Sequence, residues 1–312
     1  MSSPEPTRNL SRGLGYAFGA YAIWGSFPLI ITFLKFASPF EVVVWRIVFG
    51  LVCAALMFAF TRSWGSLRDI FSDRRRVLWL SISAVMIYVN WVVYVIGIAS
   101  GHVVESALGY FINPLITILL AVLFLGEKLR PLQWVATGLG LVAVVILTFD
   151  YGRLPWIALS LALSFGLYGL AKSKIGGQVT PLASYSFETA VLLPVALVQG
   201  VIVAAFGGGL KITDAGLPGI VVMVAFGFLT AIPLVLFGSA AKHLPLSLVG
   251  FMQYLTPTIQ FTLALTVFHE AMPATRWLGF GLVWLGLAAL SADMLRNQIA
   301  KSGAAAAAKS PK

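Results

Sequence analysis

Charge is what this chain has least of. Only 10% of its 312 residues are Asp, Glu, Lys or Arg, against roughly a quarter in soluble domains, while 59% are hydrophobic and the mean hydropathy is +0.94. That balance excludes an ordinary water-soluble domain and leaves a multi-span membrane protein. Acidic residues are the scarcer sign, 11 against 21 Lys plus Arg, for a net charge of +10. In a soluble protein such an excess would suggest nucleic acid; in an apolar chain its distribution among loops matters more, and no nucleic-acid partner is expected. Cysteine is nearly absent. Cys53 stands alone inside an apolar run, which excludes an intramolecular disulfide and a cysteine-based metal site and leaves a small buried hydrophobe. His102, His243 and His269 fall at scattered span ends, so neither a metal nor another cofactor is expected. The chain also lacks His-Glu-x-x-His, Gly-x-Ser-x-Gly and a P-loop, the signatures of zinc proteolysis, elbow-type acyl transfer and nucleotide hydrolysis. No enzyme is expected.

What is present is a series of apolar runs. They lie near 13–33, 40–60, 77–99, 102–125, 131–149, 154–173, 182–206, 216–241, 245–268 and 274–295, each about the ~20 residues that cross a bilayer. The expectation is an all-α integral membrane protein of ten transmembrane helices. The polar leader 1–12, with Pro4 and Pro6, reads as cytoplasmic and disordered. The first run is too long for a signal-peptide core and is read as uncleaved; residues 296–312 read as a cytoplasmic tail. Sixteen loop and terminal Lys and Arg fall on one side, against Lys35, Arg153, Lys211 and Arg276 on the other. By the positive-inside rule both termini face the cytoplasm, in a bacterial inner membrane.

The spacing of one stretch recurs. Pro114, Glu127, Trp134 and Gly138 stand 13, 7 and 4 apart, and Pro257, Glu270, Trp277 and Gly281 repeat those intervals 143 residues later. Asn90 corresponds to Pro233 at the same offset, Tyr21–Gly25 to Phe165–Gly169 at 144, and Pro39 to Pro181 at 142. Residues 13–149 and 150–295 are thus two repeats of five helices. An odd number inserts the second repeat upside down, which implies a central site between the halves with two alternative openings. Glu127 and Glu270 end equivalent helices and are read as supports for short turns.

Polar groups inside apolar runs are candidates for that site, because each ionised one costs ~2.5–3.5 kcal/mol at a helix centre. Arg46, Glu105 and Glu188 intrude most. Arg46 lies about 9 Å below one boundary at the helical rise, and Glu105, in the first turn of its helix, shares that leaflet, so Arg46 with Glu105 is the preferred pair. Glu105 also reads as an interfacial carboxylate at a helix start, and Arg46 as a snorkelling structural residue. Glu188, at a matching depth in the other half, has Lys172 and Lys174 as possible neutralisers. Asn90, Trp91 and Tyr94 share one side of a helix, and Tyr110, Asn113, Gln253 and Tyr254 lie close in sequence to prolines. Pro114, Pro233 and Pro257 are read as helix bends, since a proline deep in a span frees a carbonyl that needs another partner. The abundant glycines are assigned to close helix packing.

The strings Ala20-Tyr-Ala-Ile-Trp-Gly25, Asn90-Trp91, Glu105-Ser-Ala-Leu-Gly-Tyr-Phe-Ile-Asn-Pro114, Phe124-Leu-Gly-Glu127, Ser164-Phe-Gly-Leu-Tyr-Gly169, Glu188-Thr189 and Gln253-Tyr254 resemble the RarD permeases of the EamA branch of the drug/metabolite transporter superfamily, over about residues 13–295. The resemblance implies a ten-helix inner-membrane permease with a central cavity and a loosely defined substrate. Together these readings point to a secondary transporter that moves a small polar or amphipathic, amino-acid-like metabolite by alternating access, with export as the expected direction. Efflux of chloramphenicol-like drugs is the alternative, and a membrane-embedded enzyme or scaffold a further one. The expected partners are a small-molecule substrate and the lipid bilayer.

Overall fold

The structure, a computed structural model, describes residues 10–125, 129–175, 178–244 and 252–309. All regular elements among them are helical. In chain order they are α1 (Leu10–Gly25), α2 (Phe27–Thr32), α3 (Pro39–Thr61), α4 (Gly65–Phe71), α5 (Arg74–Ala99), α6 (Val103–Leu125), α7 (Pro131–Tyr151), α8 (Trp156–Ser173), α9 (Pro181–Phe206), α10 (Gly216–His243), α11 (Leu255–Thr266) and α12 (Ala274–Lys309). Nine spans among the described residues are long and apolar enough to cross a membrane. The run expected at 245–268 is represented by the 12 residues of α11, because 245–251 lie outside the described residues, as does Glu127.

Local chemistry starts the helices where the sequence places them. Proline opens α3, α7 and α9, where its missing N–H costs nothing and its φ is already helical. Ser38 Oγ and Thr180 Oγ1 accept from the N–H groups of Glu41 (3.2 Å) and Ala183 (3.3 Å), and the Asp73 carboxylate accepts from Arg75 N–H (2.8 Å) at the start of α5; each satisfies an orphan donor of the first turn. Two features were not anticipated. The first span is interrupted at Ser26, with Pro28 just inside α2, and Ser26 Oγ donates to the Ile23 carbonyl at 2.8 Å. The short helix α4 also lies between the second and third spans, where Ile70 packs with Phe58, Leu80, Ile175 and Phe187.

The bundle packs α1 on α10 and α11, α5 on α8 and α9, α6 on α8 and α11, α3 on α9 and α10, and α7 on α12. Renaming each helix by its partner at the repeat offset (α1 with α8, α3 with α9, α5 with α10, α6 with α11, α7 with α12) turns this set of packed pairs into itself. Small residues allow the close crossings: a Cβ on Gly109 of α6 would lie 2.8 Å from the Ala158 carbonyl oxygen of α8. Outward, Phe60, Phe149 and Phe206 are 86%, 82% and 87% exposed. Phenyl rings so bare suit lipid rather than water.

One end of the bundle is tied by carboxylates. Glu41 accepts from Lys211 N–H and Ile212 N–H, both at 2.9 Å. Glu105 accepts from Ile157 N–H at 3.0 Å, Glu270 binds the first turn of α6, and Arg276 lies 3.0 Å from Asp150. This end carries Lys35, Arg153, Lys211 and Arg276, the four minority-side cations. The other end carries Arg76, bonded to Gln178 and to the Asp69 carbonyl, and Arg130, 3.0 Å from Asp293.

Candidate functional site: a central cavity

Between the halves lies a cavity of about 370 Å³. Arg46, Asn90, Trp91, Tyr94, Tyr110, Asn113, Glu188, Gln253, Tyr254 and Pro257 all line it, whereas Glu105, Pro114 and Pro233 do not. Pro114 sits inside α6 and Pro233 inside α10, while Pro257 occupies the first turn of α11.

The lining is paired across the repeat. Tyr21 and Trp24 of α1 face the cavity together with Phe165 and Tyr168 of α8, their counterparts at 144. Ile87, Trp91 and Tyr94 of α5 do so with Thr230, Leu234 and Phe237 of α10 at 143. Tyr110 and Asn113 are matched by Gln253 and Thr256, and Arg46 by Glu188 at 142. The wall is therefore built twice from matched positions, with aromatic and amide groups in both halves and Thr230, Leu234 and Thr256 standing where the first half has Ile87, Trp91 and Asn113.

The polar groups are held by cross-bundle bonds. Asn90 Nδ2 donates to the Leu161 carbonyl and to Ser164 Oγ, both at 3.2 Å, and its Oδ1 accepts from the Tyr110 hydroxyl at 3.1 Å. That fixes the amide's orientation and ties α5, α6 and α8 together. Opposite, Gln260 Nε2 donates to the Tyr94 hydroxyl at 3.0 Å. Glu188 is 2.5 Å from Lys172 Nζ and also accepts from the hydroxyls of Ser83 and, at 3.5 Å, Tyr168. Its charge is thus neutralised by a partner from α8, as expected for a carboxylate 3% exposed.

Arg46 is different. The guanidinium, 5% exposed, has its Cζ 4.4 Å from the Trp91 ring centre, 5.1 Å from that of Phe226 and 5.4 Å from that of Phe27. Its Nε and Nη1 have no hydrogen-bond partner among the described residues. The expected Arg46–Glu105 pair does not form. Glu105 is engaged by Arg153 at 2.7 Å and by Ile157 N–H, at the tied end of the bundle. Glu105 stands in the first turn of α6, where an arginine from the loop before α8 reaches it.

Sequence reasoning passed over Tyr21, Trp24, Tyr168, Tyr185 and Gln260 as site residues. Spacing held a signal for Tyr185, which stands three residues before Glu188 and so on the same helix face; Gln260 is an amide inside an apolar run. Among the described residues no cluster of three His, Cys, Asp or Glu side chains is placed to hold a metal.

The profile of the EamA-like transporter family matches residues 11–149. The chain is 45% identical to Protein RarD of Streptomyces exfoliatus over 91% of its own length and 90% of that protein's. It is 39% identical to an uncharacterized transporter of Pseudomonas aeruginosa (93% and 97%) and 33% identical to Protein RarD of Escherichia coli strain K12 (92% and 96%). A solved crystal structure 19% identical in sequence, covering 93% of this chain and 98% of its own, superposes with a TM-score of 0.59, a likeness of fold.

Proposed function

Because this chain belongs to the EamA-like transporter family, and within it to the RarD-type permeases, we propose that it is a secondary transporter that carries one small amphipathic solute at a time through the central cavity by alternating access. The observation that carries this reading is the cavity itself, lying between the repeats and lined by residues matched at 142 to 144 positions. A wall built twice by inverted halves has two related ways to open, and rocking one repeat against the other around a fixed site exchanges them. The interchange of packed helix pairs supports the same inverted arrangement of 13–149 and 150–295. The polar ring of Asn90, Tyr94, Tyr110 and Gln260 suits a solute with hydrogen-bonding groups, and the aromatic lining one with an apolar body.

The test is vectorial movement without chemistry. Vesicles reconstituted with the purified chain and challenged with a metabolite extract should accumulate or release one or more solutes chemically unchanged, driven by a solute or ion gradient and without ATP. Conversion to a new product with no net movement would overturn the reading.

A further inference from the structure

From the charges around the cavity we infer that its ligand is a small organic monoanion, a carboxylate on an apolar or aromatic body, and that Arg46 is the residue that binds the carboxylate. The inference rests on the cavity being the solute site and adds the ligand's charge. Two ionisable side chains of opposite sign line the wall, Arg46 and Glu188, and they are not equivalent. Glu188 already has Lys172 at 2.5 Å and the Ser83 hydroxyl, so it contributes no net charge to the cavity. Arg46 has no carboxylate within ion-pairing distance among the described residues, and its Nε and Nη1 make no hydrogen bond. Aromatic rings hold the guanidinium in place, yet a ring quadrupole supplies neither a counter-charge nor an acceptor for its N–H groups. A buried cation left so is costly, and an entering anion relieves that cost.

A second donor stands on the same wall. The Tyr185 hydroxyl is buried with no hydrogen-bond partner of good geometry among the described residues, against Gly50, one helical turn along α3 from Arg46. A planar carboxylate suits this pair, because a guanidinium presents its N–H groups in a fork and a phenol adds a further donor. The rest of the wall is aromatic, with Tyr94 and Tyr110 in edge contact at 5.8 Å and Tyr110 and Phe165 at 6.0 Å. Asn113 Oδ1 and Gln260 Oε1, acceptors with no hydrogen-bond partner among the described residues, offer hydrogen bonds to a hydroxyl or amide on the ligand body. They are neutral, so the ammonium group of an amino acid meets no free anion here, and a zwitterion gains less than the corresponding monoanion.

The experiment uses the purified full-length chain in lipid nanodiscs at neutral pH and four probes that share a benzyl body and differ in charge: phenylacetate, phenylacetamide, phenethylamine and L-phenylalanine, with 3-phenylpropanoate as the monoanion matched to the last. Calorimetric titration should rank phenylacetate tightest, by about tenfold or more over the other three, as befits charge-assisted hydrogen bonds. Arg46→Gln should weaken phenylacetate by about 10- to 100-fold and leave phenylacetamide nearly unchanged. If Arg46→Gln does not fold, Arg46→Lys keeps the charge, loses the fork and should weaken phenylacetate by about tenfold. Equal or tighter binding of the amide, the amine or phenylalanine would overturn the inference. So would a phenylacetate affinity that neither variant moves, or no binding of phenylacetate at tens of millimolar. Each of those results leaves vectorial transport, measured separately in vesicles, to stand or fall alone.

Discussion

The Glu270 carboxylate accepts from the backbone N–H groups of Val103 and Val104, at 2.5 and 3.0 Å, across 166 or more residues of sequence. Those two donors open α6, where no earlier carbonyl is available to them, and a carboxylate there also meets the positive end of the helix dipole. Glu41 does the same for the turn at Lys211 and Ile212 that leads into α10, and Glu105 for the start of α8. Each of the three carboxylates thus ties the first turn of another segment at one end of the bundle.

Removing the Glu270 tie should loosen α6 from its first turn. Glu270→Ala is expected to cost about 0.5–2 kcal/mol of stability and to speed amide exchange at 103–106 while the middle of α6 keeps its protection; Glu270→Gln, which retains an acceptor oxygen, should cost less. Burial pushes the Glu270 carboxyl above its ordinary range, and the Val104 and Val103 N–H groups offset this only in part. The folded chain therefore keeps that proton where the unfolded chain has released it, so this group's contribution to stability falls as pH rises from the ordinary carboxylate value through the raised one. Melting curves of wild type minus Glu270→Gln should decline across that window. A difference that rises with pH would mean that the N–H groups outweigh burial.

The ion pair at the same end separates two candidate partners of Glu105. Removing Arg153 leaves a carboxylate 1% exposed with one backbone donor, which should cost about 2–4 kcal/mol, tempered by the partial exposure of Arg153. Arg153→Gln and Glu105→Gln should be markedly non-additive in thermal unfolding, while Arg46→Gln and Glu105→Gln add. Coupling of the second pair and additivity of the first would reverse the assignment.

The spans were legible because their physics is local: about twenty apolar residues, a proline at the first helical position, a hydroxyl or carboxylate before it. Arg46 and Glu188 were legible for a related reason, since a charge inside an apolar run stands out wherever its partner is. The partners were not. Arg153 is a loop residue whose sequence reading concerned topology alone, and nothing in its neighbourhood says that it reaches Glu105. Glu41 looks like any acidic first-turn residue until the turn at 211–213 packs above it. The repeat fared better, because a constant offset carries information across the bundle. Applied to Tyr21 and Trp24, it would have brought Phe165 and Tyr168 to the cavity as well.

Glycine substitution should sort packing sites from open ones. An alanine Cβ at Gly109 would meet the Ala158 carbonyl oxygen at 2.8 Å and Leu161 Cβ at 2.9 Å. Backbone cannot step aside, so Gly109→Ala should force α6 and α8 apart and cost about 1–3 kcal/mol. Gly138 and Gly281, landmarks of the repeat, have nothing among the described residues within 4 Å of an added Cβ, so alanine at either should be neutral or stabilise by up to about 1 kcal/mol through its helix propensity. Thermal melts of the three variants check this; a neutral Gly109→Ala would show that the crossing can widen.

Topology tests the inversion on which the proposed two-way opening depends. Helices of one repeat that run in a given direction have counterparts running oppositely only if each repeat holds an odd number of spans, and five apiece is the number expected from the apolar runs. The basic residues give the direction: Arg74, Arg75 and Arg76 stand at the start of α5 and Arg296 lies near the chain's end, while Lys211 lies with the carboxylate ties. A reporter fused after Arg75 and another at the C-terminus should both be active in the cytoplasm, and one inserted beside Lys211 only on the opposite side. A C-terminus opposite to Arg75 would make the number of spans after α4 odd, so that the two repeats could not be inverted copies of five, and the paired cavity wall would need another origin.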